Sequence, residues 1–153
     1  MKLEKHGTAQ GRSSGSKAGL AKPASCGIGA LSPRAVNERI RSGFDVRELE
    51  KLGNGLGIPV EEAALKVGIS RATLHRRKRK GRLQPDESDR VYRYLRLMVR
   101  AVEVMESEEA ARRWLSSPQV GLGGAKPMNY AETEAGAREV EDLLGRIEFG
   151  VYS

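Results

Sequence analysis

From position 33 onward, apolar residues recur at intervals of three or four, the spacing of one face of an α-helix. No segment shows the strict alternation of a β-strand, so we predict an all-α fold. The longest periodic segment covers 86–105, with Val91, Leu95, Met98 and Val102 among its apolar residues. We expect this helix to link the two halves of the chain.

The N-terminal segment has a different composition from the rest. Residues 1–30 are rich in Gly, Ser, Ala and Lys and lack hydrophobic periodicity, which predicts a disordered basic arm. Order should begin where Ser32 caps a helix, and Asp45 is the expected cap of the next helix. Thr133 is predicted to cap the last helix. After the arm, we predict an N-terminal domain at 31–84, a linking helix at 85–105 and a C-terminal domain at 106–153.

Three residues in the middle of the first division have the spacing of a helix-turn-helix. Such a motif needs a small residue where its helices approach, a glycine able to adopt positive φ in the turn, and a buried aliphatic residue in the second helix. Ala64, Gly68 and Leu74 meet these demands, and Ser70 is placed to cap the second helix. The sequence therefore predicts a helix-turn-helix that begins after Pro59.

The second helix of this motif lies in "ISRATLHRRKRKGR", residues 69–82, which hold seven Lys or Arg and no acid. With Leu74 facing the core, a period of 3.6 residues turns its basic side chains outward, as DNA recognition requires. Candidate DNA contacts are Ser70, Arg71, His75, Arg76, Arg77, Lys78, Arg79, Lys80 and Arg82. Of these, Ser70, Arg77, Lys78, Lys80 and Arg82 are assigned to phosphates. A solvated basic face is the alternative. A nuclear-localisation signal would explain the charge but not the spacing.

Charge and composition narrow the classes of function. Residues 1–102 hold 22 basic and 10 acidic side chains, whereas 103–153 hold 5 and 10, so the first part suits DNA and the second a protein partner. Cys26 is the single cysteine, and neither His6 nor His75 has the neighbours of a catalytic triad or a metal site. We predict no catalytic residue, metal or cofactor. Without a continuous apolar stretch long enough to cross a bilayer, we expect a cytoplasmic protein with no membrane partner.

Two groups of motifs resemble a known family. "SEEAARRWLSSP", then "LGG" followed by "KP", and finally "TEAGAREVEDLLGRIEFGVYS" resemble the toxin-binding domain of Xre/MbcA/ParS-type antitoxins. "GISRATLHRRKRKGRL" and "DESDRVYRY" resemble their Xre-like helix-turn-helix and linking helix. The resemblance covers residues from about 35 to 153. It departs at "MNYAE", where we would expect a more apolar stretch after the proline.

The resemblance implies an antitoxin of a bacterial type II toxin–antitoxin system. Such an antitoxin, usually a homodimer, neutralises a RES-domain toxin that consumes NAD and binds operator DNA to repress its own operon. Carried over by position, the toxin contacts would be Arg146, Phe149, Gly150, Val151, Tyr152 and Ser153. A helix-turn-helix regulator without a toxin is the alternative, and a binder of DNA without sequence preference is a third reading.

The C-terminal "FGVYS" is short, apolar and aromatic and ends in a carboxylate, a combination able to enter a cleft. Our hypothesis is that it covers the NAD pocket of the toxin. The alternative is that Phe149 and Val151 fold back on the protein's own core.

Overall fold

A computed structural model describes residues 31–150 of the chain. Over this range the protein consists of eight α-helices and one 3₁₀ turn, and it contains a single isolated β-bridge, between Asp45 and Arg82. The helices are α1 (Pro33–Ser42), α2 (Arg47–Leu56), α3 (Val60–Lys66), α4 (Arg71–Lys80), α5 (Pro85–Met105), α6 (Glu108–Leu115), α7 (Pro127–Tyr130) and α8 (Glu134–Glu148), with the 3₁₀ turn at Val120–Leu122. The predicted all-α class is confirmed for 31–150. The predicted arm, 1–30, and the tail residues Val151, Tyr152 and Ser153 lie outside the described residues.

Hydroxyl caps set the starts of three helices where the sequence predicts them. The side chains of Ser32, Ser70 and Thr133 each accept a hydrogen bond from a backbone N–H in the first turn of α1, α4 and α8. The prediction for Asp45 is wrong by one position. Val46 precedes α2 without a side-chain cap, while Asp45 Oδ1 accepts the N–H of Arg47 at 2.9 Å and its carboxylate binds the Arg47 guanidinium.

Helices α3 and α4 form the predicted helix-turn-helix. Gly68 adopts φ +75° in the turn, which favours glycine because other side chains are strained there. The next amide, of Ile69, donates to Ala64 O at 2.8 Å and closes the turn. Ala64 and Leu74 are both buried, as the motif requires. The backbone that follows α4 is also fixed. Gly81 O accepts the N–H of Val46, and the N–H of Leu83 donates to Phe44 O, both just before α2.

Helix α5 is the centre of the molecule. Its buried side chains contact α1 and α2 on one side and α6 and α8 on the other, and a single hydrophobic core runs through both halves. Tyr94, 2% exposed, donates its hydroxyl to Met128 O at 3.3 Å, and burial raises the pKa of Tyr94 to about 12, so the phenol stays protonated and neutral at pH 7. The apolar face is wider than the periodicity predicts, because Leu97 and Ala101 are also fully buried.

A contact between α2 and α6 joins the two halves a second time. Arg112 Nε donates to Gly55 O at 3.0 Å, near the C-terminal end of α2, where the helix dipole favours a cation. The same glycine leaves room for Met98, because a Cβ at position 55 would overlap the Met98 methyl group. The two halves are therefore packed together and not merely connected by a helix.

One predicted DNA contact has an internal role. The guanidinium of Arg77 makes a bidentate ion pair with Glu87 at the start of α5, with N–O distances of 2.8 Å, and the two side chains are only 12% and 7% exposed. Glu87 also accepts the N–H of Gln84 at 2.8 Å, which caps α5. Burial acts to raise the pKa of Glu87, but the bonds from Arg77 and Gln84 outweigh it and hold that pKa below its usual value. Arg77 thus fixes α4 on α5.

Replacing Arg77 with Ala should lower the free energy of unfolding by about 3 kcal/mol at pH 7, because it leaves a buried carboxylate without its partner. The loss should diminish as the pH falls below about 4.3, the unfolded pKa of a glutamate, since the lowered pKa of Glu87 stabilises the fold only while the carboxylate is charged. Urea denaturation at several pH values measures both effects. The exposed Arg79→Ala serves as the control and should change stability by less than about 0.5 kcal/mol. Equal stability of the two variants at pH 7 would contradict the assigned role.

Candidate DNA-binding and toxin-binding surfaces

The outer face of α4 carries a dense set of exposed cations. These cations are Arg71, Arg76, Arg79 and Lys80, and His75 is exposed among them. Within 31–150 none of the five has an acidic side chain within 4.0 Å. Their arrangement follows from Leu74, which points into the core and turns these positions to solvent. Cations of this kind, not neutralised by neighbours, can pair with phosphates and release counterions.

Two of the predicted contacts on α4 are partly engaged within the protein. Ser70, at the start of the helix, uses its hydroxyl as the cap and donates it to Thr73 Oγ1 at 3.0 Å. Arg76 is exposed, and one nitrogen of its guanidinium donates to the same Thr73 oxygen at 3.2 Å. This hydrogen bond orients the guanidinium along the helix.

Three further residues that were predicted to contact phosphates make contacts within the protein. Arg77 is paired with Glu87 as described, so its guanidinium is not part of the exposed DNA surface. Arg82 donates to Gly43 O at 3.0 Å, at the end of α1, so its guanidinium supports the fold as well. Lys78 lies 3.7 Å from Glu61 on α3, an exposed pair that solvent weakens.

The C-terminal half presents its polar face along α8. Arg146 is exposed on this helix, and Phe149, just after it, is 77% exposed. The alternative that Phe149 folds back on the core is therefore wrong for this residue. Gly150 follows with φ +68°, a backbone conformation that favours glycine.

A ladder of ion pairs fastens α8 to α5. Arg93 and Arg96 bind Glu134 at 3.1 and 3.0 Å, Arg96 also binds Glu141, and Arg100 binds Glu148. Burial acts to lower the pKa of Arg96, but its bonds to the two carboxylates raise that pKa above its usual value. The ladder holds the candidate toxin-binding helix in register with the central helix.

Sequence reasoning missed this ladder, although a signal for it exists. The acids on α8 recur at a spacing of seven, and the arginines on α5 stand three and four residues apart, so each set lies along one helix face. The pairing between the two faces could be assigned only once the helices were placed side by side.

The segment "MNYAE", where the sequence departs from the family pattern, forms α7 and the turn after it. Met128 and Ala131 are buried, while Asn129 and Glu132 are exposed. The departure therefore alters the surface of this segment and leaves its buried side apolar.

Within residues 31–150, no cluster of three His, Cys, Asp or Glu side chains could hold a metal ion. No helix over the same range is long and apolar enough to span a membrane.

Each of the two surfaces lies in a part of the chain that matches a known domain family. Residues 35–96 match the antitoxin Xre-like helix-turn-helix domain, and residues 100–150 match the antitoxin Xre/MbcA/ParS C-terminal toxin-binding domain. The chain is also similar to an antitoxin Xre of Yersinia enterocolitica, with 38% identity over 83% of this chain and 87% of the relative. The chain belongs to the Xre antitoxin family.

Two further Xre antitoxins support this assignment. One, from Photorhabdus laumondii, is 32% identical over 83% of this chain and 87% of its own length. The other, from Pseudomonas putida, is 35% identical over 75% of this chain and 72% of its own length. This Xre-family protein therefore combines a helix-turn-helix domain with a toxin-binding domain, and it is not an enzyme.

Proposed function

We propose that this Xre-family chain neutralises a RES-domain toxin that consumes NAD and represses its own operon through α4. In this proposal it acts as a homodimer within a bacterial type II toxin–antitoxin system, in the cytoplasm. The observation that carries the proposal is the pairing of two surfaces on one chain whose two halves share a hydrophobic core. An exposed cationic helix face lies in the half matched to a helix-turn-helix, and an exposed aromatic residue ends the half matched to a toxin-binding domain.

For the DNA side, the proposal places α4 in the major groove of the operator. Arg71, His75, Arg76 and Arg79 face outward, and an arginine there can donate two hydrogen bonds to a guanine edge. The remaining proposed contacts, chiefly to phosphates, are Ser70, Lys78, Lys80 and Arg82.

For the toxin side, the proposal assigns contacts to Arg146, Phe149 and Gly150, and to the last three residues of the chain. Phe149 is an exposed aromatic side chain, the type that often anchors an interface, and it directly precedes the tail. The tail would cover the NAD pocket of the toxin. Its terminal carboxylate would pair there with a basic residue that otherwise binds phosphate.

The proposal is tested by co-expressing the chain with its adjacent reading frame while host growth and NAD are followed. We expect the neighbouring product alone to stop growth and deplete NAD, and the chain to restore both and co-purify with it. No toxicity and no complex would instead leave a helix-turn-helix regulator without a toxin. Growth arrest with unchanged NAD would keep the antitoxin but reject an NAD-consuming toxin.

Replacing Arg76 with Ala should weaken operator binding by roughly 1–3 kcal/mol and relax discrimination at one base pair. The reason is that Arg76 is exposed on the outer face of α4, where it can reach a base edge. Fluorescence anisotropy with operator variants, at one fixed salt concentration, measures both quantities. Uniform weakening on all sequences would show that Arg76 contacts only phosphate.

A chain ending at Gly150 should fail to protect cells from the toxin while it still binds the operator. Residues Val151, Tyr152 and Ser153 are assigned to the toxin pocket, whereas the helix-turn-helix lies in the other half of the protein. Growth rescue and operator binding are measured on the same variant, so retained DNA binding controls for folding. Full protection by the shortened chain would reject the tail as the inhibitory element.

A further inference from the structure

One glycine on α8, Gly145, has no explanation within residues 31–150. A glycine inside a helix is destabilising relative to alanine, so it needs a reason in packing or backbone geometry. A Cβ placed on Gly145 would meet nothing within 4 Å, and the residue lies within the regular part of α8.

The other glycines inside the α-helices of residues 31–150 do have such a reason. A Cβ at Gly136 would overlap the carbonyl oxygen of Tyr130, one at Gly53 would lie 3.0 Å from Ile58 O, and one at Gly55 would overlap Met98. Each of these three allows another part of the chain to approach the helix closely. Gly145 has the same open backbone, but no part of residues 31–150 uses it.

A groove lined by Tyr92, Val99 and Arg100 of α5 ends next to Gly145, because Arg100 and Glu141 border both this groove and the shallow surface that Gly145 shares with Phe149. The Arg100–Glu148 ion pair spans α5 and α8 here. Position 145 adds no side chain to this surface. The described residues thus leave a notch with an exposed aromatic ring one helical turn away.

Two opposite charges flank the notch. Asp142 and Arg146 are exposed and stand four residues apart, yet they form no ion pair with each other or with any other residue in 31–150. By contrast, Glu134, Glu141 and Glu148 on the same helix are all paired with arginines of α5. A partner that offers a cation to Asp142 and a carboxylate to Arg146 would complement this surface.

The geometry points to the Gly145 notch as the place where a segment of the cognate toxin packs closely on α8, with its backbone or a small side chain over Gly145. This inference rests on the proposed function. The toxin is the favoured occupant because the notch, Arg100 and Phe149 all lie in the range that matches a toxin-binding domain. The notch is also continuous with the residues proposed for the tail contact.

The inference is tested with the full chain and its Gly145→Ala, Gly145→Leu and Ala135→Leu variants. Ala135 is exposed on the same helix, outside the groove, and serves as the control. The probe is the purified product of the adjacent reading frame, titrated by isothermal calorimetry. We expect Gly145→Leu to weaken binding by about tenfold or more, since a leucine side chain would overfill a close contact at this position. Gly145→Ala should lose less, and Ala135→Leu should bind like the unchanged chain.

Thermal unfolding of each chain alone separates a binding defect from a folding defect. Gly145→Ala should unfold at the same temperature as the unchanged chain or higher, because its methyl group meets nothing and alanine favours the helix. A lower unfolding temperature of Gly145→Leu that returns to normal when 151–153 are removed would show that the protein's own tail fills the notch. That result would overturn the inference.

The remaining outcomes separate this inference from the proposed function. No binding of the probe by the unchanged chain would reject the proposed function together with the notch. Normal binding by both the unchanged chain and Gly145→Leu would reject the notch alone. A Gly145→Leu chain that binds the probe but loses self-association in sedimentation velocity would assign the notch to a second copy of this protein, and it would also overturn the inference.

Discussion

The burial of α5 on opposite sides is the constraint on which the structure depends. Helices α1 and α2 pack on one side of it, and α6 and α8 pack on the other, so neither half has a complete core without this helix. The starting point of α5 is fixed by Glu87, whose carboxylate caps the helix and binds Arg77 of α4. The orientation of the cationic face on α4 is therefore set by the same helix that carries the toxin-binding half.

This arrangement gives a physical basis for communication between the two surfaces. Arg112 of α6 donates to a carbonyl of α2, and Met98 of α5 packs over Gly55 of the same helix. A partner that displaced α6 would alter the hydrogen bond that joins α6 to the helix-turn-helix half. If binding of a partner at α6 changes the affinity for DNA by some factor, thermodynamic linkage requires that DNA binding change the affinity for that partner by the same factor.

Local sequence signals predicted most of the fold, and pairwise contacts account for what they missed. The caps at Ser32, Ser70 and Thr133 and the positive φ of Gly68 depend on neighbouring residues, so they can be read from the sequence. The cap predicted at Asp45 was misplaced by one residue, because Val46 precedes α2, and the Asp45 carboxylate accepts both the backbone N–H and the guanidinium of Arg47. The buried Leu97 and Ala101 were missed because a helix packed on several sides has no single apolar stripe.

The candidate sites show the same limit more sharply. A run of cations predicts that a helix face is basic, but it does not separate an arginine that is free to meet DNA from Arg77, whose partner lies ten residues further along the chain. A side chain that is present can be given a role from its chemistry. Gly145 has no side chain to interpret, and it becomes informative only once the helices are placed and no atom of residues 31–150 is found to approach it. For surfaces that bind other proteins, open space on a helix is thus as much a part of the site as the charges beside it.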